Sequence, residues 1–331
     1  MSRRGVPVTV AVFTSGAVLL SLEIAASRVL APYFGNSLYV WGALIGVVLT
    51  GLALGYWLGG SLADRWPEPW LLVAAIALGA GGVVVVPLLD QHVLGAIVSW
   101  DPEPRLNVVL AAAGLFGWPS VVLAAVTPIA IRLRADAIAH LGRTSGRLFS
   151  VSTFGSIVGT FATAFWLVPE LGTDQLIALG AVALLAGAAV VAAAERLVLP
   201  LVIVLAGLGG ATAVAANLGT QTGDRLPSAQ TRNWSPSYRL REALRPRLNS
   251  RRGISVVYSK DTRYHRLVVA ESGGVRTLLF DSLSQSAMRV KHPFATEFEY
   301  TDYLQLALAY NPRARDVLFL GLGNSSAPKR F

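Results

Sequence analysis

The sequence predicts a multi-pass α-helical membrane bundle of about seven transmembrane helices, followed by a small antiparallel β meander and the start of a Rossmann-like α/β domain. Three observations predict it. Of 331 residues, 53% are hydrophobic and 14% charged, with a mean hydropathy of +0.55, a balance that belongs to membrane proteins. The apolar residues crowd into the region up to about Leu218, and from Ile254 the pattern turns to short β-branched and aromatic runs. The last stretch, Asp316 to Phe331, reads as a strand, a glycine turn and a helix start. The expected domains are therefore a transmembrane region 1–218, a basic linker 219–253, a meander 254–290 and an incomplete Rossmann-like portion 291–331.

The apolar runs lie near Val6–Leu30, Leu38–Ala63, Trp70–Leu89, Leu106–Ile131, Leu148–Val168, Asp174–Ala194 and Leu197–Leu218. Each is long enough to cross a hydrocarbon layer as a helix of roughly twenty residues. The first is too long for a cleavable signal, and Glu23 and Arg28 follow its apolar centre, so it is read as an anchor. With the N-terminus inside, the inner segments carry Arg3, Arg4, Arg65, Arg132, Arg134, Arg143, Arg147 and Arg196, against Arg28 and Arg105 outside. That bias points to a cytoplasmic N-terminus of a multi-pass cell-membrane protein.

Within the helices, Gly42 and Gly46, then Gly51, Gly55 and Gly59, recur at four-residue spacing, as do Gly155 and Gly159. Such stripes let helix backbones approach where apolar burial gives no drive, so they are expected to hold the bundle together. Pro119 and Pro128 are expected to kink the fourth helix. Glu23 needs a partner in hydrocarbon, and Arg28 is the nearest candidate for a structural pair; a proton or substrate relay is the other reading. Gly60-Ser61-Leu62-Ala63-Asp64-Arg65 is similar to the first half of a loop motif of major facilitator transporters, but Trp66-Pro67-Glu68-Pro69 replaces its second half. Seven spans are too few for that fold's paired halves.

The net charge of +9 rests largely on arginines of the linker, which suits a solvated segment or an anionic lipid surface. No basic fold interleaved with aromatic residues accompanies it, which argues against nucleic acid. The absence of cysteine excludes disulfides, Cys-based metal sites and a thiol nucleophile. Ile254–Lys260, Tyr264–Glu271 and Val275–Phe280 read as strands, with Ser272-Gly273-Gly274 turning the last two, followed by a loop through Ser284-Gln285-Ser286. Thr296 and Glu299 fit a capping box, and the helix dipole accounts for Glu297 and Glu299. Tyr300, Asp302 and Tyr303 combine aromatic faces with a carboxylate, which is what an ammonium ligand needs. Val317–Leu320 is the expected terminal strand, and Gly321 and Gly323 the turn that lets a ligand approach the main chain.

From about Ile254 to Phe331 the order of elements resembles the spermidine synthases, the polyamine aminopropyltransferases: meander, loop glutamine, aromatic and acidic helix start, Asn-Pro linker, strand and glycine turn. Ser21-Leu22-Glu23-Ile24-Ala25-Ala26-Ser27-Arg28, running on to Gly35, is similar to the members fused to a transporter-like membrane region. The resemblance implies aminopropyl transfer from decarboxylated S-adenosylmethionine, as co-substrate, to putrescine or a related amine. It places Gln285 at the donor, Tyr300 and Asp302 at the amine, and Gly321, Gly323 and Asn324 at the nucleoside turn. Asn324 and Ser325 stand where the family has Asp and Gly, and Asp302 is one methylene shorter than the family's Glu. The family's ribose-holding acid and proton-accepting aspartate follow the turn, so the chain is expected to be an inactive fragment, and no catalytic residue or metal ligand is assigned. Expected partners are membrane lipids and a small amine, with self-association left open. The rival function is a polyamine or small-solute transporter or sensor whose soluble part only binds ligand.

Overall fold

The computed structural model describes residues 5–35, 37–100, 103–135, 141–220, 255–262, 266–280, 283–321 and 328–330. The chain divides into two compact units, Met1–Gln221 and Thr222–Phe331. The first is mostly helical. It holds seven helices long and apolar enough to cross a membrane: α1 Gly5–Phe34, α2 Leu38–Arg65, α3 Pro69–Trp100, α4 Arg105–Arg134, α5 Leu141–Leu171, α6 Thr173–Ala194 and α7 Val198–Asn217. At about 1.5 Å per residue, the 30 residues of α1 exceed a hydrocarbon core of about 30 Å, leaving a turn or more at each end for the interfaces. Gly35, at a φ of +70°, ends α1 in the left-handed region that glycine tolerates. Ser37 then opens α2, its side chain accepting from the Val40 N–H at 3.4 Å.

Helix α1 is central and packs against α2, α3, α4, α5 and α6, while α7 rests chiefly on α6. The outer faces carry large apolar side chains: Trp57 is 68% exposed and Phe154 61%. The glycine stripes divide into two kinds. A Cβ at Gly51, Gly55 or Gly59 would collide with α4, and one at Gly155 or Gly159 with the α1 backbone at Phe13 and Ala17. Gly42 and Gly46 meet nothing within 4 Å, so the expectation that they join helices is corrected: they lie on an open face.

Two spans contain a π-helical segment, Ala113–Gly117 in α4 and Thr163–Leu167 in α5. Each lies just before a proline, Pro119 or Pro169. A proline ring collides with the carbonyl one turn back, and a π turn widens the helix at that point. Pro119 is thus accommodated by the π segment at the start of the following α-helical stretch, and Pro128 sits within that stretch.

The second unit is a five-stranded antiparallel sheet of order β1-β2-β3-β4-β5: β1 Ser255–Asp261, β2 Arg266–Ser272, β3 Val275–Phe280, β4 Leu283–Arg289 and β5 His292–Thr296. Gly273 and Gly274, at φ of +61° and +82°, form the two-residue turn between β2 and β3. Two short helices follow, α8 Glu299–Tyr303 and α9 Leu306–Tyr310. Two expectations fail here. The loop through Ser284-Gln285-Ser286 is part of β4, because this stretch pairs with β3 and buries Ser286 and Ala287. Val317–Leu320 is not a strand; no neighbouring segment among the described residues supplies a ladder for it. Linker residues 221–253 lie outside the described residues.

Candidate functional site

Of the residues expected to bind substrate, Gln285, Tyr300, Asp302 and Gly321 are described, and Gly323 and Asn324 lie outside the described residues. Gln285 occupies a β-bulge. Along the β3–β4 ladder Leu278 pairs with Ser286 and Leu279 with Ser284, which leaves Gln285 as the extra residue. A bulge removes a residue from the regular ladder and re-aims its side chain. The Tyr300 hydroxyl donates to the freed Gln285 carbonyl at 3.4 Å, the long end of the range. The Tyr300 ring stacks on Phe298, with centroids 6.0 Å apart at 22°. Two of the expected residues are therefore in contact.

The helix that carries Tyr300 starts differently from expectation. Phe298 is the N-cap, two residues beyond the cap position that the expected Thr296–Glu299 box requires. The Thr301 hydroxyl donates to the Phe298 carbonyl at 2.6 Å, a bond that caps none of the helix's first N–H groups. Glu297 pairs with Arg289 at the end of β4. Its hydrogen bond, and then its charge, raise the Arg289 pKa above the usual guanidinium range. This pairing holds Glu297 to the sheet, a role the helix dipole did not suggest. Asp302 is exposed, and at about 100° per residue its position two residues on sets it across α8 from Tyr300. Gly321 has a φ of +93°, the left-handed conformation expected of the turn.

Beside β5 an open groove of about 810 Å³ is lined by Lys291, His292, Phe294, Gln305 and Lys329. Two lysines make its lining suited to an anion, so an ammonium group belongs elsewhere. Among the described residues no three His, Asp or Glu side chains gather as a metal site.

In the membrane unit, Glu23 has no hydrogen bond or ion pair among the described residues, so the expected pair with Arg28 does not form. Five residues of helix turn the two side chains about 140° apart. Asp64, in the transporter-like stretch, pairs instead with Arg132 at the far end of α4, at 3.2 Å. The bulge and the π segments were missed in the sequence; the prolines that follow each π segment were the available signal. Comparison with protein-family models, curated proteins and solved structures yields no match to this chain.

Proposed function

We propose that the chain is a membrane protein whose second unit binds a polyamine as the aminopropyltransferases do, with decarboxylated S-adenosylmethionine as the co-substrate of the transfer. One observation carries the reading: the Gln285 bulge of β4 and the Tyr300 hydroxyl, which the resemblance assigns to donor and amine, meet beside the sheet. The glycine turn that the resemblance assigns to the donor's nucleoside belongs to the same proposal; the φ of Gly321 supports the turn, while Val317–Leu320 before it forms no strand among the described residues. The chemistry would form a bond from the amine nitrogen to the methylene beside the donor's sulfonium. The carbon–sulfur bond breaks, the sulfur keeps the electron pair as a neutral thioether, and the nitrogen's proton passes to a base. Rings contribute binding and orientation. The test is equilibrium binding of putrescine to the full chain in detergent: Tyr300→Phe should weaken it while Asp302→Asn, on the opposite side of α8, does not. Binding unchanged in Tyr300→Phe overturns the assignment.

A specific observation favours the rival reading of a transporter or sensor. Seven spans place the two ends of the bundle on opposite faces, and the arginine bias puts the Gly5 end inside. The chain after α7 then emerges outside, where a polyamine can be captured but an adenosyl donor is not made. A reporter active only outside the cytoplasm, fused after Asp224, separates the two: activity there supports capture, and silence supports the transferase.

A further inference from the structure

The soluble-unit site leaves Glu23 unused. It lies three to four residues past the midpoint of α1, roughly 5 Å along the axis, well inside a hydrocarbon layer of about 30 Å. A carboxylate at that depth is costly unless something neutralises it. Its surroundings follow from the helix registers. Gly155 and Gly159 of α5 lie against the carbonyls of Phe13 and Ala17 of α1. The next residue of that four-residue stripe is Thr163, at the start of the π segment that touches α1. Glu23, seven residues after Gly16, shares the face of α1 that Ser152 and Ser156 of α5 touch. Thr163 is 0% exposed, and its hydroxyl has no hydrogen-bond partner.

The π segment of α4 touches α1 as well. Helix α4 runs against α1, with Arg134 beside Gly5, and Thr127 is 3.5 Å from Ser152, which itself abuts Gly16. Carried on, this register brings the stretch from Phe116 to Ser120 level with Glu23. Pro119 and Pro169 have no N–H to give, so each removes a helical donor from a carbonyl of its π segment. The level of Glu23 therefore gathers a carboxylate, a buried hydroxyl and loosened backbone carbonyls, all hard oxygen donors. Broken helices coordinate Na⁺ or H⁺ in membranes with such groups.

Among the described residues, the other charged groups at this end are Arg28 on α1, Asp90 and His92 on α3, Glu103 and Arg105 at the start of α4, Glu170 at the end of α5 and Asp174 at the start of α6. Helix α2 offers none before Asp64. Val18, Val83 and Gly180 share one layer of the bundle. Counting about 1.5 Å per residue from it, Glu23 lies about 8 Å, Asp174 about 9 Å and Asp90 about 11 Å further on. Acids outnumber arginines there, and the field favours a cation.

We infer that Glu23 is the anionic ligand of an intramembrane monovalent-cation site that takes Na⁺ or a proton among Thr163 and the π segments of α4 and α5. The experiment uses the full chain in detergent and N,N′-dicyclohexylcarbodiimide, which modifies protonated carboxyl groups in apolar surroundings, with peptide mass spectrometry reading the label at Glu23. Labelling is repeated from acid to alkaline pH in NaCl or in choline chloride of equal ionic strength. Saturable protection by Na⁺, with the half-protecting concentration raised about tenfold in Thr163→Val, supports a sodium site. Labelling that falls with rising pH and ignores Na⁺ supports a proton site. No label at Glu23, or a label that ignores both pH and Na⁺, overturns the inference.

Discussion

Replacing Gly159 by alanine tests the α1–α5 contact on which the surroundings of Glu23 depend. A Cβ at Gly159 would stand 2.2 Å from the Ala17 carbonyl oxygen and 2.8 Å from its carbonyl carbon. Carbon–oxygen contacts settle at about 3.3 Å or more, so the two helices must part by roughly 1 Å. The obstacle is backbone on a helix, so no rotamer change relieves it. A gap of that size forfeits about a quarter to a half of each dispersion contact along the seam. Overpacking of this kind costs about 1–3 kcal/mol. Gly42→Ala is the control, since nothing lies within 4 Å of its added methyl. Denaturant titration of the full chain in detergent, followed by tryptophan fluorescence, should show the loss for Gly159→Ala and no loss for Gly42→Ala, whose methyl adds about 0.5–1 kcal/mol of helix propensity. Equal midpoints for the two would refute the α1–α5 register and the placement of Thr163 against α1.

Gly55→Ala should behave like Gly159→Ala, because its methyl would lie 2.2 Å from the Val121 carbonyl oxygen, and the same titration reads it. Asp302 lies across α8 from Tyr300, so Asp302→Asn should change putrescine binding by less than about 0.5 kcal/mol in equilibrium dialysis of the full chain. A loss of about 1.5–3 kcal/mol, the value of a charge-assisted contact, would show that the carboxylate reaches the amine after all. Arg276 and Glu271 stand directly opposite each other on β2 and β3, their guanidinium and carboxylate joined by a hydrogen bond. Arg276→Ala should therefore speed amide hydrogen exchange in β2 and β3 about two- to fivefold, matching a cross-strand pair of roughly 0.5–1 kcal/mol; unchanged exchange would show the pair to be inert.

The helical unit was legible because a long apolar run is a strong signal, and among the described residues each of the seven runs is a helix. The helix contacts were half legible. Glycine spacing alone could not separate Gly55, pressed on α4, from Gly46, which faces open space, because the pattern is the same on both faces. The π segments were hidden since a Pro inside an apolar run signals a kink without saying how the backbone absorbs it. In the second unit, Ser284-Gln285-Ser286 read as a loop by composition, yet pairing with β3 outweighed the weak strand propensity of three polar residues. Thr296 and Glu299 had the spacing of a cap, and the chain turned at Phe298 instead. Gln285 and Tyr300 were picked out by resemblance, and their contact depends on a bulge that no periodicity reveals.

The central claim, that the second unit captures an amine where Gln285 and Tyr300 meet, is tested most directly by equilibrium binding of labelled putrescine to the purified full chain, compared with Tyr300→Phe. The account predicts saturable binding in the parent chain and a clear loss in the variant, with the sheet's amide exchange unchanged. Absence of saturable binding in the parent chain, or equal binding in the two, would contradict it.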